Sequence, residues 1–154
     1  MLDHANLVAY VLGTVEFASA GADEAVLISV PPYHIAGISS VFLSLYAGRR
    51  MVMLPALTPE AWLDAVDTER ITYAFVVPTM LGRIVEALDR GHPASLASLR
   101  AISYGGGRMP PDLIAEALDR FPDTAFTNAY GLTETSSTIA LLGPRGAPGG
   151  SPFG

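Results

Sequence analysis

The chain has 154 residues, half of them hydrophobic and 16% charged, enough for one domain with a real core and too apolar for a disordered segment. A formal net charge of −6 argues against nucleic acid as a partner, and the absence of cysteine excludes disulfides, thiol catalysis and cysteine-bound metal. All nine basic residues are arginine, so a step that needs a lysine ammonium cannot be completed by this polypeptide.

Met1 to Asn6 lacks the basic region of a secretory signal, and no apolar run reaches membrane-spanning length, so a cytoplasmic protein is expected. Asp3 is placed to cap a helix over residues 4–18. Ala25 to Val30 reads as a buried strand. Residues 35–47 read as a helix that is apolar nearly all round and therefore buried. Arg50 to Leu54 is a second strand. Thr58-Pro59-Glu60 opens a helix through about Glu69, with a capping hydroxyl, a first-turn proline and an acid at the positive dipole end. A third strand, Thr72 to Val77, leads into a helix from Pro78 to near Gly91. Ala101 to Tyr104 is a fourth strand, and Pro110-Pro111-Asp112 starts a helix ending near Phe121. Ala125 to Asn128 is a fifth strand and Ser137 to Leu142 a sixth. This alternation predicts an α/β fold: a mostly parallel sheet with flanking helices and right-handed crossovers over residues 1–142. Residues 143–154, rich in glycine and proline, read as a loop or linker.

Three segments carry groups that suit chemistry. Asn128-Ala129-Tyr130-Gly131-Leu132-Thr133-Glu134-Thr135 offers a ring for stacking, a hydroxyl for a phosphate oxygen and a carboxylate for Mg²⁺. The same string also fits a plain strand-to-helix turn with a packed tyrosine and polar residues at a helix start. Thr135 to Thr138 read better as solvated turn. Tyr104-Gly105-Gly106-Gly107-Arg108-Met109-Pro110 lets backbone amides approach a ligand, or serves only as a permissive turn. It is not a Walker loop, because the lysine and its neighbouring hydroxyl are missing. Pro31-Pro32-Tyr33-His34-Ile35-Ala36-Gly37 follows the first strand, and a lone histidine there is more often structural than catalytic. Ser39 and Ser40 could line the same pocket as His34 or simply pack.

The first string resembles the Tyr-Gly-x-Thr-Glu signature of the adenylate-forming, AMP-binding enzymes, which include acyl-CoA synthetases and luciferases. The other two segments are similar, in the right order, to that family's Ser-Gly-Gly-Ala-Pro and Pro-x-Phe/Tyr-His-x-x-Gly segments. Gly107 stands for the alanine and Arg108 for the proline, which leaves the role of Arg108 open. The resemblance implies that Tyr130 stacks on adenine and that Asn128 and Ala129 meet the base and adjoining backbone. It implies that Gly131 belongs to the nucleotide site, that Thr133 bonds the α-phosphate and that Glu134 holds Mg²⁺. Gly106 and Gly107 would line the adenine and acyl pockets through their backbone. His34 would lie by the acyl carboxylate and points to an acid without an amino group.

The implied activity is ATP-dependent carboxylate–CoA ligation, acting on a fatty or aryl acid. ATP or AMP, Mg²⁺ and coenzyme A are the implied ligands. Met1 to Leu7 resembles the sequence just after the family's phosphate loop. That loop, the small C-terminal domain and its adenylation lysine are therefore expected outside this chain, as in a fragment that is inactive alone. Two other readings stay open at this stage: a non-catalytic relative that binds nucleotide or a partner, and an inert remnant.

Overall fold

The computed structural model describes residues 3–54 and 56–142, so the linker read at 143–154 lies outside the described residues. In chain order the elements are α1 (His4–Thr14), β1 (Ala25–Ile28), α2 (Ile35–Ala47), β2 (Arg50–Met53), α3 (Pro59–Thr68) and β3 (Tyr73–Val76). Next come α4 (Pro78–Asp89), β4 (Ala101–Gly105), α5 (Pro111–Arg120), β5 (Ala125–Leu132), a one-turn 3₁₀ helix at Thr133–Thr135, and β6 (Ser137–Leu142).

Local chemistry sets the helix starts as the sequence implies. The Asp3 carboxylate accepts from the Asn6 amide at 2.9 Å, while the Asn6 side chain accepts from the Asp3 amide at 3.0 Å. The Thr58 hydroxyl accepts from the Ala61 amide at 3.1 Å, with Pro59 in the first turn of α3. The first helix is shorter than predicted and stops at Thr14, with Val15 already extended. The chain then turns so that the amides of Ala18 and Ala20 donate to the carbonyls of Tyr46 and Ala47 at the end of α2. Those carbonyls have no partner within their own helix, and satisfying them outweighs further helix in residues 15–18.

The six strands form one sheet in the order β2-β1-β3-β4-β5-β6. All pairs are parallel except β5–β6, which is antiparallel. The sheet is thus mostly parallel, as the alternation of elements predicts, and the one exception has its cause in length. The link from β5 to β6 is one 3₁₀ turn plus Ser136, whereas a parallel return needs a dozen residues or more.

Helices cover both faces. Trp62, Leu63 and Val66 of α3, Leu81, Ile84 and Val85 of α4, and Ala117 of α5 pack with Leu27, Val76, Ile102 and Phe126 on one face. Trp62 and Phe126 both meet Phe121 edge-on, with ring centroids 6.5 and 5.9 Å away. Each such side chain, once buried, contributes about 1.5–3 kcal/mol of transfer free energy. The other face carries α1 and α2, joined through Val11, Val15, Leu43 and Ala47. The all-round burial expected of α2 is not found: Phe42 and Leu45 are 37% and 59% exposed. Among the described residues, neighbours cover only the sides of α2 that face α1 and the sheet.

Three ion pairs gather at the amino-terminal edge of the sheet. Arg49 is buried, donates to the Glu24 carboxylate at 2.8 Å and lies over the Tyr73 ring at 4.8 Å. Arg100 pairs with Asp23, and Arg50 with Glu69. At the opposite edge, α2 begins hard against the end of β1. A Cβ on Gly37 would sit 2.7 Å from the Val30 carbonyl oxygen and closer still to that of Pro31. Gly37→Ala should therefore destabilise the fold by about 1–3 kcal/mol in urea unfolding followed by circular dichroism. Gly82→Ala, whose Cβ would meet only Leu113 at 3.7 Å, should be neutral or stabilising by up to about 1 kcal/mol. Equal effects from the two substitutions would contradict the close approach at Gly37.

Candidate functional site

The strand order reverses direction between β1 and β3, since β2 lies to one side of β1 and β3 to β6 lie to the other. At such a switch the flanking connections leave in opposite directions and open a crevice at the carboxyl ends of the strands. A cavity of about 390 Å³ occupies this place. Its walls come from the loop after β1 (Val30, His34), the start of α2 (Ile35, Ala36), the end of β3 (Phe75, Val77) and the glycine turn after β4 (Gly106). The hairpin of β5, the 3₁₀ turn and β6 supplies Ala129, Gly131, Leu132, Thr133, Glu134, Ser137 and Thr138.

The cavity thus brings together His34, Gly106, Ala129, Gly131, Thr133 and Glu134 from segments far apart in sequence. His34 is the residue before α2, in extended conformation, with its ring 4.6 Å from that of Tyr33. Its amide donates to Pro31 and its carbonyl accepts from Ile38, so the backbone fixes where the imidazole starts. Ser39 and Ser40 are not part of the cavity wall. Ser39 is buried and its hydroxyl has no partner among the described residues.

The signature string folds differently from the turn that sequence suggests. β5 runs on through Leu132, so Asn128 to Leu132 are strand residues, and Thr133–Thr135 form the 3₁₀ turn of a hairpin. The pleat then divides them. Ala129 and Gly131 face the cavity, whereas Asn128 and Tyr130 do not line it, and Tyr130 is 56% exposed. The glycine is required at 131: a Cβ there would lie 2.8 Å from the Thr138 Cα and closer to the Ser137 carbonyl oxygen. Thr135, read as solvated turn, is a clasp. Its hydroxyl accepts from the Leu132 amide and contacts the carbonyl oxygens of Leu132 and Ser137, each at 2.9 Å. Ser137 is buried, not solvated. Gly107 and Arg108 lie in the turn beyond Gly106, exposed and outside the cavity wall.

Sequence reasoning missed Phe75, Val77, Leu132, Ser137 and Thr138 as cavity residues. The period-2 alternation of Phe75 and Val77 at the end of β3 was the available signal, but alternation does not tell which face meets a ligand.

The cavity holds one carboxylate, Glu134, and one imidazole, His34, in an otherwise apolar and hydroxyl-bearing wall. Among the described residues no group of three or more His, Asp or Glu side chains could bind a metal by itself. A lone carboxylate beside hydroxyls fits Mg²⁺ that takes its remaining ligands from water and phosphate oxygens.

The family profile described as AMP-binding enzyme matches residues 1–152. The chain belongs to the AMP-binding enzyme family. It is 36% identical over 143 residues to a feruloyl-CoA synthase from Amycolatopsis sp, covering 92% of this chain and 28% of that protein. It is 37% identical over 120 residues to a 2-succinylbenzoate–CoA ligase from Bacillus licheniformis, covering 77% of this chain and 24% of the relative. Among solved structures it is similar to O-succinylbenzoate coenzyme A synthetase from Bacillus subtilis in complex with ATP and magnesium. That match has a TM-score of 0.75 and 26% identity, over 92% of this chain and 28% of the other. A long-chain-fatty-acid-CoA ligase from Archaeoglobus fulgidus, at 21% identity and a TM-score of 0.82, shares the fold; 94% of this chain and 30% of that one are covered. The chain therefore spans under a third of the length of these relatives. No described helix is long and apolar enough to cross a membrane.

Tyr104, at the end of β4, packs beside Phe126 with centroids 6.5 Å apart. Desolvation raises its phenol above the ordinary value of 10.0. A raised folded-state pKa means that its contribution to stability is complete below about pH 10 and is lost as pH rises through the folded value. Unfolding midpoints should fall more steeply above about pH 10 in the wild type than in Tyr104→Phe. Parallel profiles would show that the phenol is not desolvated.

Proposed function

We propose that this chain forms the acyl pocket and part of the nucleotide site of an ATP-dependent carboxylate–CoA ligase acting on an aryl acid. The observation that carries the reading is the convergence of His34, Gly106, Thr133 and Glu134 on one cavity at the strand-order reversal. Aryl-acid CoA ligases among the relatives, and a wall containing Phe75, Val77 and Leu132, support an aromatic rather than a long aliphatic acid.

In this reading the acid enters with its ring against Phe75 and Val77 and its carboxylate toward His34. One carboxylate oxygen attacks the α-phosphate of ATP, the bond to the bridging oxygen breaks, and pyrophosphate leaves. The thiol of coenzyme A then attacks the acyl carbon of the adenylate, loses its proton, and AMP departs. The chemistry is chiefly positioning and charge neutralisation. Thr133 donates its hydroxyl to an α-phosphate oxygen. Tyr130 presents an open ring face to adenine, with Asn128 beside the base and Gly106 and Gly107 closing the other side through their backbone. Arg108 adds a cation at this turn, where the family usually has proline. Glu134 holds Mg²⁺, which when bound neutralises phosphate charge that would otherwise repel this carboxylate and the incoming acid. The lysines implied by the family must come from outside residues 1–154, which contain none.

The purified chain should form no thioester from ATP, coenzyme A and an aryl acid, because a missing preorganised group typically costs about 10²–10³ in rate. Measurable product would remove the lysine argument. Binding is the sharper test. AMP should shift the amide resonances of Tyr130, Gly131 and Thr133, and Tyr130→Ala should weaken it about ten-fold or more, the effect of one lost base–aromatic stack. Glu134→Gln should abolish the Mg²⁺ dependence of ATP binding while AMP still binds. If AMP leaves those amides unmoved, the nucleotide assignment is wrong.

A further inference from the structure

Adjacent residues of a strand point to opposite faces, yet Thr133 and Glu134 both line the cavity. They can do so because the chain leaves β5 and turns at Thr133–Thr135. The backbone that follows this turn is unusual. Ser136 has φ 61° and ψ 26°, and Ser137 has φ 109°. Among the described residues only two others besides glycine have a positive φ, Ala18 at 52° and Arg70 at 49°. Each of those stands alone, and Arg70 follows the end of α3, where a left-handed residue commonly closes a helix. Ser136 and Ser137 are consecutive, and a β-carbon makes both conformations unfavourable. Strain of this kind persists only where the surroundings hold it, and it gathers at functional sites.

The contacts that hold it are identifiable. The Ser136 amide donates to the Thr133 carbonyl at 3.2 Å, which closes the turn. The Thr135 hydroxyl accepts from the Leu132 amide and contacts the Ser137 carbonyl oxygen, each at 2.9 Å. Leu132 stands opposite Ser137 across the hairpin, and the bare Gly131 lets the Ser137 carbonyl come close. These contacts oppose the preference of both serines for negative φ. When Ser136 relaxes, its amide leaves Thr133, the turn opens, and Thr133 and Glu134 no longer share a wall. Ser136 does not itself line the cavity, so it acts on a ligand there only through the turn.

We propose that Ser136 is a positioning residue of the nucleotide site. Its left-handed backbone closes the turn on which the Thr133 hydroxyl and the Glu134 carboxylate converge, and its β-carbon keeps that closure near balance until a nucleotide completes it. This rests on the reading of Thr133 and Glu134 as nucleotide-binding groups. A ligand that binds only the closed turn is weakened by the fraction of chains in which the turn is open. Affinity for AMP therefore follows the ease with which residue 136 takes a positive φ: glycine first, then serine, then a β-branched residue. The strain has a use in a reaction that must let AMP go, because a turn that closed without cost would retain the product.

The test titrates the isotopically labelled full chain with AMP, as wild type and as Ser136→Gly, Ser136→Ala and Ser136→Val, and records dissociation constants beside thermal unfolding midpoints. Ser136→Gly should raise the midpoint by roughly 1–3 °C and bind AMP about three-fold more tightly. Ser136→Ala keeps an unbranched β-carbon and should match the wild type. Ser136→Val should bind AMP about ten-fold less tightly while the circular dichroism of sheet and helices is retained. A residue that served stability alone would move the midpoint and leave the affinity of the folded chain unchanged. A glycine variant no tighter than wild type, or a folded valine variant no weaker, would overturn the proposal while leaving the nucleotide site standing. So would an alanine variant as weak as valine, since the hydroxyl and not the backbone would then be the cause. The glycine variant decides alone when the valine variant does not fold. Failure of the wild type to bind AMP would overturn the nucleotide-site reading and this inference with it.

Discussion

A strand, a helix and a parallel strand can join in practice with only one hand, and that constraint organises everything else in this chain. With right-handed crossovers, stepping from β1 to β2 puts α2 on one face. Stepping the other way, through β3, β4 and β5, puts α3, α4 and α5 on the opposite face. The reversal between β1 and β3 leaves a gap that no crossover covers. Short connections then decide what fills it. The turn after β1 brings His34, the turn after β4 brings Gly106, and the hairpin after β5 brings Thr133 and Glu134. No residue of the cavity is in place for its own sake; each is carried there by a strand whose register is set by the core beneath.

The charge inside the cavity has a simple logic. A chain with a net charge of −6 places one carboxylate and no arginine in the wall of a site that would receive a polyanion. In water such an arrangement is mildly repulsive, and in a partly dry cleft more so. A divalent cation bound by Glu134 would make the arrangement favourable, and that is the ground on which Glu134 is proposed as a metal ligand rather than a general base. His34 has an exposed position at the start of α2, where it meets the mouth of the cleft and not its floor.

Much of this was legible in the sequence, and the parts that were not share a cause. Asp3, Thr58 and Pro59 announced helix starts because capping chemistry acts within a few residues. The glycine-rich turn and the Tyr-Gly-x-Thr-Glu string stood out because close backbone approach and polar groups leave residue-level marks, and Gly106, Gly131, Thr133 and Glu134 of these segments line one cavity. The end of α1 was misread because hydrogen bonds from Ala18 and Ala20 to the end of α2, distant in sequence, outcompete local propensity. β5 was read four residues short because its extension is stabilised by pairing with β6, again a non-local term. Thr135 looked like solvated turn because nothing in its neighbours says that its hydroxyl will fasten two strands. The exposed flank of α2 belongs to the same class: an apolar composition marks what a helix can bury, not what is there to bury it.

The ion pairs at the amino-terminal edge sit a full strand away from the cavity. β1 has 4 residues and β4 has 5, which at ~3.3 Å per residue separates the two edges by about 13–17 Å. The Debye length in physiological salt is only about 8 Å, so the partly exposed charges at the base are largely screened from the mouth. Distance and salt in the surrounding solvent therefore isolate the mouth from the charges at the base. Arg100, Asp23, Arg50 and Glu69 can drift in evolution, or be exchanged to tune isoelectric point and solubility, without retuning the potential felt by a ligand at the other end.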